Sequence, residues 1–180
     1  MLHTIISGGQ TGADQAGLRA GRALGLRTGG WATRGFRTLD GSASWLAEYG
    51  LREAATTDYP TRTAMNVRDS DATVRFARDF DSSGERCTLK AIQKHKKPHL
   101  DVLVVDAGVL KNAQAAPGFD AIAEAFRVHA GIANGFVGLL RAFLIAHNVS
   151  ILNVAGNTEQ TAPGIGVLVE AFLVRALRPR

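Results

Sequence analysis

The chain has one cysteine, Cys87, among its 180 residues. A single thiol cannot form an internal disulfide, which excludes a disulfide-stapled secreted scaffold and is typical of a reducing compartment. The N-terminus runs into an apolar segment without a preceding basic region, so no signal peptide is expected. The most apolar later stretch, Ala130 to Ala146, contains Asn134 and Arg141, which favours a buried helix over a membrane span. We therefore expect a cytoplasmic protein with no membrane segment.

Several catalytic signatures are also missing from the sequence. There is no G-x-x-x-x-G-K-[ST] motif, which argues against nucleoside triphosphate hydrolysis. There is no G-x-S-x-G elbow either, and the sequence assigns no histidine partner to Ser7. The histidines show no ligand-like spacing and have no second cysteine beside them, so a protein-held metal is not expected. They are His3, His95, His99, His129 and His147.

The composition is that of an ordinary globular protein. Hydrophobic residues make up 46% and charged residues 21% of the chain, which indicates one domain over residues 1–180 that can bury a core. The formal net charge of +5 suits an anionic ligand, but also simple solubility or weak nucleic-acid affinity. The basic clusters Lys94 to Lys97 and Arg175 to Arg180 are not interleaved with aromatic residues. Dedicated nucleic-acid binding is therefore disfavoured.

A glycine-rich turn, Ser7 to Asp14, follows the apolar segment Leu2 to Ile6 and leads into a helical pattern from Ala13 to Leu24. A strand, a glycine turn and a helix N-terminus form a phosphate-binding geometry, because glycine lets N–H groups approach an anion and the helix dipole favours negative charge. The alternative is a tight turn that binds nothing. Gln10 and Thr11 add polar groups that a simple turn does not need, which favours an anion site.

Apolar strands alternate with helical patterns, which predicts a Rossmann-like α/β fold with a mostly parallel sheet and helices on both faces. The predicted strands are Leu2–Ser7, Thr28–Trp31, Ala72–Phe76, Leu100–Val105 and Ser150–Val154. The predicted helices are Ala13–Leu24, Thr61–Asp69, Glu85–Lys96, Asp120–His129, Phe136–His147 and Gly164–Arg178. The segment Thr33 to Pro60 is the least regular, and a long polar loop of this kind favours a binding role.

Polar clusters follow several of these strands, where open α/β sheets bind their ligands. Besides the glycine turn, the clusters are Gly29–Gly35, Asn66–Asp71, Asp81–Thr88 and Ala155–Gly164. Each alone has a structural alternative: Arg34 can be an exposed loop residue, and Asp69 and Asp71 can be turn or cap residues. A pocket needs several polar points around one concave surface, so five clusters at one sheet edge predict a binding site.

The same segments carry a family resemblance. The motifs are SGGQTGAD, GGW followed by a basic loop and DG, the spaced LRE, Y, RT and NVRDSDAT, and LNVAGN with APGI, and they cover most of the chain in this order. Together they resemble the molybdenum-cofactor carrier family, a circularly permuted branch of the Rossmann-like SLOG superfamily that binds nucleotide-type or other phosphorylated ligands. Two departures stand out. Ser83-Gly84-Glu85-Arg86 replaces a Ser-Gly-Gly-Thr-type turn and puts an acid beside the expected anion site, and material is inserted around Ala107 to Asn134.

The resemblance implies a carrier for molybdenum cofactor, a phosphorylated pterin with a dithiolene-bound metal, or for a related nucleotide-type ligand. The pterin would hold the metal, and molybdoenzymes or cofactor-synthesis proteins would be partners of a cytoplasmic homo-oligomer. Combined with the clusters, the motifs predict a set of ligand-binding residues. They are Gly8, Gly9, Gln10, Thr11, Gly12, Asp14, Arg34, Asn66, Asp69, Ser70, Ser83, Gly84, Arg86, Thr88, Asn157, Thr158 and Gly164.

Some SLOG relatives hydrolyse the N-glycosidic bond of nucleotides, so a hydrolase is the alternative to a carrier. That chemistry needs an acid at the ribose, and the available carboxylates are Asp14, Glu85, Glu159 and Glu170. The hydrolases' Pro-Gly-Gly-x-Gly-Thr run is not present, which favours binding without catalysis. We expect Arg34 and Arg86 to make charge-assisted contacts with the ligand, and Gly9→Val to abolish anion binding in a folded chain.

Overall fold

The computed structural model describes residues 1–104 and 135–178. Its strands are β1 (Thr4–Ile6), β2 (Arg27–Ala32), β3 (Arg37–Thr38), β4 (Gly41–Ser42), β5 (Leu51–Glu53), β6 (Ala72–Ala77), β7 (His99–Leu103) and β8 (Ile151–Gly156). Six of them form one parallel sheet in the order β5-β2-β1-β8-β6-β7. The remaining two, β3 and β4, form a small antiparallel hairpin outside that sheet.

The helices are α1 (Ala13–Ala23), α2 (Tyr59–Asp69), α3 (Ser83–His95), α4 (residues 135–146) and α5 (Ile165–Leu177). The helices cover both faces of the sheet. Two neighbouring residues of β6 show this, since successive residues of a strand point to opposite faces. The ring of Phe76 packs against Phe172 of α5, with ring centroids 5.5 Å apart. The adjacent Arg75 donates from Nη1 to the carbonyl of Glu85 in α3 at 3.1 Å. The fold is therefore the Rossmann-like α/β fold that the sequence predicts.

The two faces of the sheet differ in chemistry. On the side of α1, α4 and α5 the core is apolar, and it includes Ile5, Val74, Phe76, Leu140, Leu152, Val154, Ile165, Val169 and Leu173. On the side of α2 and α3 the central strands present Thr73, Arg75 and Asn153, all buried. Asn153 donates from Nδ2 to Thr73 Oγ1 at 3.2 Å. The polar face is the one that carries the cavity described below.

Each predicted strand is found, and so is each predicted helix within the described ranges. The predicted helix Asp120–His129 and the insertion Ala107–Asn134 lie outside the described residues, as does Val105 at the end of a predicted strand. Helices α2 and α3 begin two residues earlier than predicted. For α2 the cap is Asp58, whose Oδ1 accepts the Thr61 N–H at 2.7 Å.

The interpretation of Thr33 to Pro60 as irregular needs correction. The structure finds two 3-10 segments there, Arg34–Phe36 and Ser44–Tyr49, together with the β3–β4 hairpin and the edge strand β5. Strand β5 has three residues, of which Leu51 alone is buried, so its sequence shows no alternation long enough to predict a strand. In the part of the chain that the structure describes, no helix has the length and apolar character of a membrane span.

Candidate functional site

A cavity of about 470 Å³ opens at the carboxyl edge of the sheet, where ligands of open α/β sheets bind. Its walls come from the glycine turn before α1, the first residues of α2 and α3, and the loop between β8 and α5. The predicted residues on its wall are Gly8, Gln10, Asp14, Asn66, Ser83, Gly84, Thr88, Asn157 and Thr158. The structure places the other predicted residues away from that wall: Gly9, Thr11, Gly12, Arg34, Asp69, Ser70, Arg86 and Gly164.

The N–H groups of the glycine turn are already bonded within the chain. The Gly9 N–H donates to Ser7 Oγ at 3.2 Å. The Gln10 N–H donates to Asp14 Oδ2 at 3.2 Å, and the Thr11 N–H donates to Gln10 Oε1 at 2.9 Å. An anion at this turn would therefore have to displace a hydroxyl, a carboxylate or an amide oxygen, so these three N–H groups are not the open anion site that the motif alone suggests.

Gly9 is required by packing. Its φ is +72°, a conformation that favours glycine. A Cβ added here would lie 2.8 Å from methyl groups of both Leu46 and Leu51. The expectation that Gly9→Val leaves the fold intact therefore needs correction, because the added side chain would overlap a buried apolar cluster.

Arg62 supplies a cation that lines the cavity. Its Nη1 lies 3.0 Å from Asp14 Oδ2, and both side chains are largely buried. Burial raises the pKa of Asp14, and the Arg62 guanidinium opposes that rise. Arg62 Nε is buried and has no hydrogen-bond partner among the described residues, so one donor of the guanidinium is unsatisfied.

The two arginines predicted to bind the ligand lie elsewhere. Arg34 is exposed in the first 3-10 segment, and Arg86 is exposed and donates to the carbonyl of Asp81. Sequence reasoning did not single out Arg62 for binding, although Arg62 and Thr63 are the RT pair of the family motif. The motif could therefore have identified Arg62 as a candidate for the cavity wall.

Three of the four described helix N-termini have a carboxylate of the chain beside them, and two of these carboxylates accept N–H groups of the terminus. Asp14 places its carboxylate in the first turn of α1, and Asp58 caps α2. Glu159 serves α5: its Oε2 accepts the Gly164 N–H at 2.7 Å and its Oε1 accepts the Gly166 N–H at 2.8 Å. The carboxylates of Asp58 and Glu159 thus occupy the positions in which a helix N-terminus would hold a bound anion.

The N-terminus of α3 is different, because its cap is neutral. Ser82 Oγ accepts the Glu85 N–H at 3.4 Å. The N–H groups of Ser83 and Gly84 have no partner among the described residues, and both residues line the cavity. Of the four N-termini, α3 therefore offers free donors and a helix dipole to an anion.

Glu85 lies in the same first turn of α3 and is 2% exposed. Its Oε2 is 3.5 Å from Arg75 Nη1 and makes no hydrogen bond within the described residues. Arg75 is instead engaged by Asp101, through Nε at 2.8 Å and through Nη2. Burial raises the pKa of Glu85 to about 7, and nearby carboxylates add to the rise against the opposing charge of Arg75. The carboxyl group therefore changes charge near neutral pH.

Two buried amides on the cavity wall hold the architecture. Asn157 Oδ1 accepts the N–H groups of Arg78 at 2.9 Å and Asp79 at 3.1 Å, and its Nδ2 donates to the Asp79 carbonyl at 3.1 Å. Asn66 pairs with the backbone of Trp31 through both ends of its amide, at 2.9 Å each. Asn157 thus joins the β6–α3 loop to the β8–α5 loop, and Asn66 joins α2 to β2.

Three predicted residues off the wall make local contacts. Asp69 accepts from Trp31 Nε1 at 2.7 Å and from Arg68 Nε at 2.6 Å. Ser70 donates to the Val67 carbonyl, and Gly164 donates to Glu159 as described above. Their contribution to binding stays a prediction.

The cavity wall also includes residues outside the set that the sequence predicts to bind the ligand. They are Leu39, Tyr59, Pro60, Arg62, Thr63, Ser82, Glu85, Cys87, Asn153, Ala155, Gly156, Gln160 and Thr161. Tyr59 is 39% exposed and Leu39 47% exposed, so the cavity has apolar surface for a planar ring. Burial raises the pKa of the Cys87 thiol. No group of three or more metal-binding side chains occurs in residues 1–104 or 135–178.

Comparisons with known proteins agree with this fold. Residues 5–177 match the model of the circularly permutated YpsA SLOG family. The crystal structure of a "Putative molybdenum carrier protein" from Syntrophus aciditrophicus SB is similar, with a TM-score of 0.78 and 26% sequence identity over 98% of this chain and 96% of that chain. No curated protein matches the chain. Because the family match spans nearly the whole length, the chain belongs to the circularly permutated YpsA SLOG family.

Proposed function

We propose that this protein binds and carries a small phosphorylated ligand with a planar ring system, namely molybdenum cofactor or a related phosphorylated pterin or nucleotide. The observation that carries the proposal is the N-terminus of α3, with its neutral cap and its unpaired N–H groups on the cavity wall. The cavity volume of about 470 Å³ is in the range of small-molecule sites. The name of the solved relative supports molybdenum cofactor as the cargo.

The wall provides for both parts of such a ligand. The phosphate accepts from the Ser83 and Gly84 N–H groups, and the positive end of the α3 dipole stabilises its charge. The ring packs against Tyr59 and Leu39, which line the cavity with exposed apolar surface. Stacking of a base on an aromatic side chain contributes about 1–3 kcal/mol. The metal of molybdenum cofactor stays on the pterin, and cytoplasmic molybdoenzymes or cofactor-synthesis proteins would exchange the cargo.

Native mass spectrometry of protein purified from a cofactor-producing host tests the proposal. We expect a retained small molecule whose mass identifies the cargo. Two glycine variants sharpen the test, because a Cβ at Gly84 or at Gly138 meets nothing within 4 Å. Gly84→Val should fold and lose the cargo, since Gly84 lines the cavity, whereas Gly138→Val in α4 should keep it. Absence of any retained molecule, or equal retention by both variants, would contradict the proposal.

Cys87 gives an independent measurement. It is the one thiol of the chain and lines the cavity, so a bound ligand should slow its reaction with a thiol reagent. Labelling rates measured with and without a phosphorylated pterin should differ in the wild type and in Gly138→Val. In Gly84→Val the ligand should have no effect on the rate. Unchanged labelling of the wild type at saturating ligand would place the ligand elsewhere.

A nucleotide N-glycosidic hydrolase is the second candidate, because two carboxyl groups share the cavity. Glu85 has a pKa raised to about 7 by burial, which suits an acid that donates a proton at neutral pH. Asp14 is the other carboxyl group. Glu159 caps α5, and Glu170 lies 2.6 Å from Arg19, so neither is available in the cavity. Steady release of free base from nucleoside monophosphates, abolished by Glu85→Gln, would establish the hydrolase over the carrier.

A further inference from the structure

Glu85 and the free donors of α3 belong to the same helical turn. Ser83 and Gly84 present unpaired N–H groups to the cavity, and Glu85 follows them directly in the chain. The Glu85 side chain lines the same cavity, is 2% exposed, and has an oxygen without a hydrogen-bond partner among the described residues. An anion bound to these donors would therefore lie in the same cavity as the Glu85 carboxyl group.

The charges around Glu85 do not compensate an ionised carboxylate. They come from each neighbouring element: Arg75 of β6, Asp79 after β6, Asp101 of β7, Asp14 of α1, Arg62 of α2, and the Cys87 thiol of α3 itself. Arg75 is the cation that faces Glu85, and it is engaged by Asp101 through two of its nitrogens. Arg62 is paired with Asp14. An ionised Glu85 and a bound anion would add two negative charges where both cations already have carboxylate partners.

We propose that Glu85 couples anion binding to proton uptake: the cavity takes up a phosphate-type anion together with one proton from solvent on the Glu85 carboxyl group, and releases both together. This inference rests on the proposed function, because it concerns the ligand of the same cavity. The protonated carboxyl group carries no charge and gains an O–H donor that an anion can accept. No covalent bond changes, and the proton returns to solvent on release.

The electrostatics of the free protein set the pH range. The pKa of Glu85, raised by burial to about 7, makes the carboxylate dominant above neutral pH. Binding an anion then requires protonation first, so affinity should fall about tenfold for each pH unit above 7. Near pH 6 the proton is already in place, and affinity should be nearly independent of pH.

Titration calorimetry tests the coupling with sulfate, which remains a dianion throughout this range, and with adenosine as an uncharged probe. Sulfate binding is measured at several pH values, and at about pH 8 in two buffers of different ionisation enthalpy. The variants are Glu85→Gln, which cannot ionise, and Glu48→Gln, a control in an exposed position. The wild type and Glu48→Gln should take up close to one proton per sulfate, and Glu85→Gln should take up none. Adenosine should bind without proton uptake.

The measurement on the wild type alone tests whether sulfate binding is coupled to proton uptake, even if a variant fails to fold. Sulfate binding by the wild type without proton uptake at about pH 8 would overturn the coupling, and so would equal proton uptake by a folded Glu85→Gln. If cargo is retained in native mass spectrometry while proton uptake is absent, this inference alone fails. If neither cargo nor sulfate binds at any pH, the proposed function fails with it.

Discussion

Replacing Glu85 with glutamine should change how the stability of the protein depends on pH. A solvated glutamate has a pKa of 4.5, whereas burial raises that of Glu85 to about 7. Between these values the folded chain keeps the Glu85 proton and the unfolded chain loses it. Because the folded state then binds more protons, the free energy of unfolding falls as pH rises through this window. The contribution is fully present below about pH 4.5 and is lost by about pH 7.

The size of this loss follows from the difference between the two pKa values. Each pKa unit corresponds to about 1.4 kcal/mol, so the ionisation of Glu85 should cost roughly 3 kcal/mol of stability. Glu85→Gln removes this term, because an amide does not ionise. The free energy of unfolding of the variant, relative to the wild type, should therefore increase by roughly 3 kcal/mol between about pH 4.5 and about pH 7.5.

Urea unfolding followed by tryptophan fluorescence measures this difference, since the chain contains two tryptophans. Glu48→Gln serves as the control because Glu48 is exposed, and its difference from the wild type should not vary with pH. If the free energy of unfolding of Glu85→Gln relative to the wild type does not change between about pH 4.5 and about pH 7.5, the reasoning is refuted. A difference that favours the wild type increasingly as pH rises would also refute it, because it would mean that the folded state stabilises the carboxylate.

Three further substitutions test other parts of the structure by chemical unfolding. Arg62→Met should destabilise the protein by about 3–5 kcal/mol, because it leaves the buried Asp14 without its cation. The exposed control Arg34→Met should stay within about 0.5 kcal/mol of the wild type, and equal losses would show that the Arg62–Asp14 pair does not stabilise the fold. Gly9→Ala should lower the free energy of unfolding by about 1–3 kcal/mol more than Gly25→Ala. Both glycines have positive φ, but only a Cβ at Gly9 would lie close to neighbouring atoms. Equal losses would show that overlap with Leu46 and Leu51 does not contribute. Asp71→Ala should lower the free energy of unfolding by about 2 kcal/mol, because Asp71 Oδ2 accepts the Ser150 and Ile151 N–H groups at 2.8 Å each. The exposed control Asp40→Ala should be nearly neutral. A loss for Asp71→Ala no larger than that of the control would mean that other interactions replace these two bonds.

The strands of the sheet could be predicted because their buried residues recur in short apolar runs. Val74 and Phe76 in β6, for example, are fully buried, and their run is visible in the sequence. Strand β5 could not be predicted in this way, because its place at the sheet edge comes from parallel pairing with β2. That pairing depends on the tertiary fold and leaves no periodic signal in three residues.

The edge of the sheet that holds the cavity was predictable, but the role of each charged residue was not. Asp14 and Glu85 both occupy the first turn of a helix, and the sequence offers the same interpretation for both. In the structure, Asp14 bonds to the glycine turn and to Arg62, a partner 48 residues away. Glu85 Oε2 accepts no hydrogen bond from residues 1–104 or 135–178. Pairings of this kind arise when distant segments pack together, so they are absent from local patterns.

The three hydrogen bonds of the Asn157 amide have a consequence for how a ligand exchanges with solvent. They join the β6–α3 loop to the β8–α5 loop, so separating those two walls costs about 3 kcal/mol if each bond contributes about 1 kcal/mol. On another side of the cavity, the β3–β4 hairpin contacts the glycine turn through the Leu39 N–H, which donates to Gln10 Oε1 at 2.9 Å. Breaking that bond costs about 1 kcal/mol by the same measure. Ligand entry and exit should therefore proceed on the hairpin side, with Leu39 moving outward while the Asn157 wall stays closed.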